Sequence, residues 1–219
     1  MPFDYFERTA TGVLGEPLNT ITNAAFFVAA WAGLRLARKR QALDSGTRAL
    51  LVLLVAIGIG SSLFHMFANN WTRWMDIVPI LLFQMLAVWL YVRRIMDGSR
   101  SAALLALVFL IASSSLVAIS PHALNGSLMY AGAWLSLVLL GIYHRWRNRP
   151  EPWLMLLAAG VFTLSLFFRS MDKSVFVRSH FSHGVHFLWH VFNGVTLYLV
   201  FRALIPVRST TPQKPTTGF

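Results

Sequence analysis

Long apolar runs separated by short polar stretches dominate this chain and set its architecture. A helix needs about 20 mostly apolar residues to cross the hydrocarbon core of a bilayer. Seven stretches qualify: Pro17–Leu36, Thr47–Phe67, Trp74–Val92, Ala102–Ser120, Leu124–His144, Pro152–Phe168 and His183–Leu204. The sixth is the shortest, and the polar residues on either side of it mark it as a span of its own. The pattern predicts an all-α polytopic membrane protein, a seven-transmembrane helix bundle forming one domain over residues 1–205. Connections are too brief for a separate soluble domain. The tail Pro206–Phe219, rich in Thr and Pro, reads as disordered. Residues Met1–Gly15 open acidic, with Asp4 and Glu7, and lack the basic start of a signal peptide.

Composition narrows the class. Hydrophobic residues make up 56% of the 219 and charged residues 12%, about half the roughly 25% of an average soluble domain. Mean hydropathy is +0.59, while 19 Lys and Arg against 8 Asp and Glu leave a formal charge of +11. A nucleic-acid binder could carry that excess, but not with so apolar a chain. Cysteine is absent, which excludes disulfides, thiolate metal sites and a cysteine nucleophile. Any metal must be held by His, Asp, Glu or Asn.

Basic residues concentrate in the cytoplasmic loops of membrane proteins. With the N-terminus outside and the C-terminus cytoplasmic, fourteen of the nineteen basic residues fall inside, among them Arg38, Lys39, Arg40, Arg93, Arg94, Arg145 and Arg147. The outer side keeps Arg8, Arg73, Arg169, Lys173 and Arg178 against five acids, Asp4, Glu7, Glu16, Asp76 and Asp172, so it is neutral overall. The +11 therefore reads as a topology signal and a lipid-facing surface, with no nucleic acid as partner.

Ionisable groups within spans are costly and point to function. The second span runs outward through Gly58-Ile59-Gly60-Ser61 to His65, the third begins Trp74-Met75-Asp76, and the seventh carries His186 and His190. Under this topology Ser61, His65, Asp76, His186 and His190 share the outer leaflet. Residues i and i+4 lie on one helix face, so His186 and His190 project together, as do Ser61 and His65. Two imidazoles one turn apart chelate a single ion, and three His ligands leave a zinc ion one open position, the arrangement of a catalytic site. His183, at the helix entrance, reads as interfacial or supporting, His180 as solvated, and His122 and His144 as structural. Trp71 and Trp74 fit an interfacial aromatic belt. The seventh span has no lysine for a retinal Schiff base, and Ser61 lies beside a histidine already wanted for metal, which leaves no Ser–His dyad for proteolysis.

Gly58-x-Gly60-Ser61-x-x-x-His65, then Asp76, then His186-x-x-x-His190, resemble the alkaline ceramidases, within the CREST superfamily of seven-helix membrane hydrolases that also holds a receptor branch. The stretch Glu16-Pro17-Leu18-Asn19-Thr20-Ile21-Thr22-Asn23 resembles the family's opening of the first helix, and Arg169-x-x-Asp172 its short motif before the last. The resemblance implies zinc at His65, His186 and His190, with Ser61 and Asp76 catalytic beside the water that zinc would activate. Asn19, Asn23 and Asp172 would support the site. It further implies a membrane-lipid substrate, ceramide or a related N-acyl lipid, cut at its amide. Animal members carry calcium in the N-terminal segment; here Asp4, Glu7 and Glu16 offer suitable oxygens, but Thr9 stands where Asn is expected and Arg8 places a cation beside them. Glu16 reads alternatively as an anchor of the first helix. Absent cysteine and compact loops point to a bacterial member, in the inner membrane with its site toward the periplasm. A receptor without turnover, or a hydrolase of another acyl lipid, stays open.

Overall fold

The computed structural model describes residues 5–8, 12–115, 119–120 and 123–205. Asp4, Thr9, His122 and the predicted disordered tail lie outside the described residues. Helix α1 (Pro17–Thr22) breaks at Asn23 and continues as α2 (Ala24–Lys39). Next come α3 (Ser45–Phe67), α4 (Asn70–Leu90), α5 (Arg100–Ser114), α6 (Ala131–Trp146), α7 (Leu154–Met171), α8 (Val175–His180) and α9 (His186–Leu204). A π turn over Tyr91–Ile95 prolongs α4, and a 3-10 stretch over Ala123–Tyr130 leads into α6.

Among the described residues the elements are helical, and six of them are long and apolar enough to cross a membrane, counting α1 with α2 and each extension with its helix. The protein is an integral membrane protein. The predicted fourth span is the exception in length: α5 has 15 residues, about 22 Å at 1.5 Å per residue, against a hydrocarbon core of roughly 30 Å. The last predicted span begins three residues late, at His186.

Helices α2 to α7 each pack on the next, and α9 closes the ring by packing on both α7 and α2. Small residues set the closest approaches, as expected where van der Waals contact holds helices together in lipid. A Cβ at Gly60 would lie 1.9 Å from the Met75 carbonyl oxygen, and one at Gly132 would lie 2.1 Å from that of Leu110. The α3–α4 hairpin is tight because Ala68 adopts the left-handed conformation (φ 44°) and Asn69 forms a capping box with Thr72. Gly60 therefore lets the second turn of α4 lie against α3, next to Ser61. Gly60→Ala is expected to lose stability at or above the upper end of the roughly 1–3 kcal/mol of overpacking. Thermal unfolding in detergent checks this, with Gly160→Ala, whose Cβ would meet open space, showing no loss.

At the opposite end of the bundle Glu151 accepts from Arg202 (2.6 and 3.0 Å) and Arg40 (3.0 Å). The hydrogen bond from Arg202 outweighs partial burial and holds the Glu151 carboxyl below its usual range. His144 is structural, bonded to the Tyr91 hydroxyl (2.8 Å) and the Pro150 carbonyl (2.9 Å). His180 and His183 are exposed.

Candidate metal centre

Three helix ends converge at one end of the ring. His65 sits in the last turn of α3, Asp76 in the second turn of α4, and His186 opens α9 with His190 one turn further on. One ring nitrogen from each of the three histidines lies within 4.8 Å of one from each of the others, and all three side chains are buried. Such crowding of imidazoles in an apolar interior needs a shared partner.

Outer contacts orient two of the rings. Nδ1 of His65 meets Glu16 Oε2 at 2.5 Å, and Nδ1 of His190 meets the Thr22 hydroxyl at 3.0 Å. Metal-ligating histidines are held in this way, through the nitrogen that does not face the ion. Nε2 of His190 and Nδ1 of His186 are buried without any hydrogen-bond partner, and so is Oδ1 of Asp76. Buried polar atoms are nearly always satisfied, so the two orphaned nitrogens of the clustered histidines fit a metal ion as the missing partner. Ser61, also buried, hydrogen-bonds the Asp76 carboxylate.

The supporting residues form two anchors. Asp172, fully buried, accepts from the backbone N–H groups of Val185 (2.8 Å) and His186 (2.9 Å) through Oδ1, and from that of Phe6 (3.0 Å) through Oδ2. It thus caps the start of α9, where a carboxylate also suits the positive end of the helix dipole, and fixes the backbone of the first histidine. Glu16 accepts from Asn19 Nδ2 (2.9 Å), and Asn23 Nδ2 donates to the Asn19 carbonyl (2.9 Å). Burial works against the Glu16 charge, but hydrogen bonds from His65 and Asn19 and the Arg8 guanidinium outweigh it and keep its carboxyl below the usual range.

Glu16 anchors α1 through Asn19 Nδ2 but does not cap it. Instead Glu7 takes the free N–H groups of Leu18 (2.6 Å) and Asn19 (2.8 Å). A capping residue ten positions ahead of its helix leaves no signature in local sequence.

Other residues around the site come from tertiary structure alone. Tyr5 stacks on His186 with ring centroids 3.8 Å apart, and burial drives its hydroxyl pKa well up. Arg169 hydrogen-bonds Tyr5, donates to the Asn125 carbonyl and the Ser127 hydroxyl (2.9 Å each), and lies over Tyr130 and Trp189. Its only mark in the sequence is its place in Arg169-x-x-Asp172.

Below the histidines an apolar cavity runs inside the ring. On α9 its lining extends from Trp189, next to His190, to Leu204, about 22 Å of helix axis.

A ring of apolar helices around buried histidines and an apolar cavity defines a class: integral membrane proteins with three buried histidines that could hold a metal ion, next to an internal apolar cavity. The Ceramidase family model matches residues 7–218. The chain belongs to the ceramidase family.

Proposed function

We propose that this protein is a zinc-dependent lipid amide hydrolase that cleaves ceramide to a sphingoid base and a fatty acid. The observation that carries the reading is the set of buried, unpartnered atoms on His186, His190 and Asp76 at the head of a deep apolar cavity. Membership of the ceramidase family supports the same chemistry. Zinc fits better than calcium, because imidazole nitrogens suit it and three of them leave it one open position. His65, His186 and His190 would hold it, and it would supply Lewis acidity and lower the pKa of water to about 7.

The chain's own residues do the rest. Asp76, at Oδ1, accepts the proton of the attacking water and returns it to the amide nitrogen as the amine leaves, base and then acid. Ser61 orients that carboxylate and donates toward the oxygen on which charge develops. The cavity takes the acyl chain; its lining is almost wholly apolar, from Ile80 and Phe83 on α4 to Trp189 and Leu204 on α9, as an alkyl chain requires. Its length along α9 exceeds one leaflet, about half of the 30 Å core. Substrate then enters sideways, between helices.

In this reading α5 serves as a seventh, short span of a single domain over 1–205. The N-terminus and the site face outward and the C-terminus faces the cytoplasm, as the charge asymmetry supports. In a bacterium the site would face the periplasm.

The test is a product screen by mass spectrometry on the purified protein with short-chain fluorescent ceramide. Sphingoid base and fatty acid are expected, lost with a zinc chelator and regained on adding zinc. Turnover untouched by the chelator refutes the metal dependence; turnover of another N-acyl lipid, but not of ceramide, refutes the substrate.

A further inference from the structure

Arg8 is unusual for a residue so near the start of a chain: its side chain is only 5% exposed. Nε donates to Glu16 Oε1 at 2.6 Å, and Nη2 donates to the backbone carbonyl of His65 at 2.8 Å. That carbonyl belongs to the last turn of α3, where helix geometry leaves carbonyls without an intrahelical partner and favours a cation. The N–H that would continue the ladder, that of Asn69, is turned to the Thr72 hydroxyl. One guanidinium therefore grips His65 twice. It holds the backbone directly and the imidazole through Glu16, whose other oxygen meets His65 Nδ1.

The same contacts bear on calcium. Calcium takes six to eight oxygen ligands. Both oxygens of Glu7 are turned to backbone N–H groups of α1, and both oxygens of Glu16 are turned to N–H groups of Arg8, Asn19 and His65. Arg8 already sets its positive charge against Glu16. The described residues do not fit a calcium site.

We infer that Arg8 occupies the role of a divalent cation here, docking the N-terminal segment onto α1 and α3 and positioning His65, so that the metal centre assembles without calcium. The inference rests on the reading of His65 as a metal ligand. Arg8 is a positioning residue: it acts through Glu16 and the α3 backbone. A planar guanidinium reaches both acceptors at once, whereas a lysine ammonium supplies charge from a single point.

The experiment uses the full chain purified in detergent. Zinc affinity is measured by competition with a chromophoric chelator, and melting temperature is followed in millimolar calcium and in a calcium chelator. Wild type is expected to melt at the same temperature, and to hold zinc equally, in both conditions. Arg8→Gln is expected to bind zinc roughly tenfold more weakly, the lower end of what loss of an outer partner costs. Arg8→Lys is expected to restore the melting temperature but only part of the zinc affinity, which separates positioning from charge balance; it also carries the test if Arg8→Gln does not fold. Calcium raising the wild-type melting temperature overturns the inference. Zinc bound by both variants as tightly as by wild type overturns it too. If wild type binds no zinc, the metal reading fails instead, and the calcium arm on melting still decides the role of Arg8.

Discussion

A His186→Ala/His190→Ala double variant is expected to purify without bound zinc and to show no hydrolysis above background, while wild type carries one zinc per chain. The two residues supply two of three clustered imidazoles, one turn apart on α9, and each has a buried ring nitrogen without a hydrogen-bond partner. Losing both costs more than the roughly 10–100-fold in metal affinity that loss of an outer partner costs. The fold is expected to survive, since histidines crowded in an apolar interior are a burden without their ion and each alanine removes an unsatisfied buried polar atom. Elemental analysis of the purified variant reads the metal, and a melting curve checks the fold. Stoichiometric zinc in the double variant would rule out this ligand set.

Asp76→Asn is expected to hold zinc normally and to lose roughly 10²–10⁴-fold in turnover, the usual contribution of general acid–base catalysis. Asparagine keeps the size of the side chain and its bond to Ser61 but cannot accept the proton of the attacking water. Metal content and rate are thereby separated: the histidine pair removes both, whereas Asp76 removes only the rate. An unchanged rate with zinc in place would move the general base elsewhere. Ser61→Ala should fall between wild type and Asp76→Asn in rate, because its hydroxyl orients a carboxylate that remains.

The helices were legible in the sequence because each is an unbroken apolar run, and lipid leaves a spanning segment little other choice of structure. The exception is instructive. Apolarity continues past Ser114, but the helix α5 stops there, and hydrophobicity says which residues avoid water without saying where backbone hydrogen bonds end. The histidine cluster was legible for a related reason: histidines are expensive in a membrane interior, so three of them stand out. Spacing of four along α9 placed two on one face. Charge asymmetry supplied the shared depth of the third.

The sequence by itself determined the membrane class and the helical architecture, and its motif order determined the family to which the chain belongs. The first two depend on composition and on periodicity within single helices, and the family on short motifs and their order, all of them readable along the chain. Only the tertiary structure decided that Glu7 rather than Glu16 caps the first helix, that Arg8 grips His65, that Tyr5 stacks on His186 and that Arg169 lies beside the site. Each of these contacts joins residues from separate elements, across 11 positions for Glu7 and Leu18 and 57 for Arg8 and His65. A side chain's nearest partner across such a gap is set by how helices pack, and the close approach permitted by Gly60 is written in no single stretch of the chain.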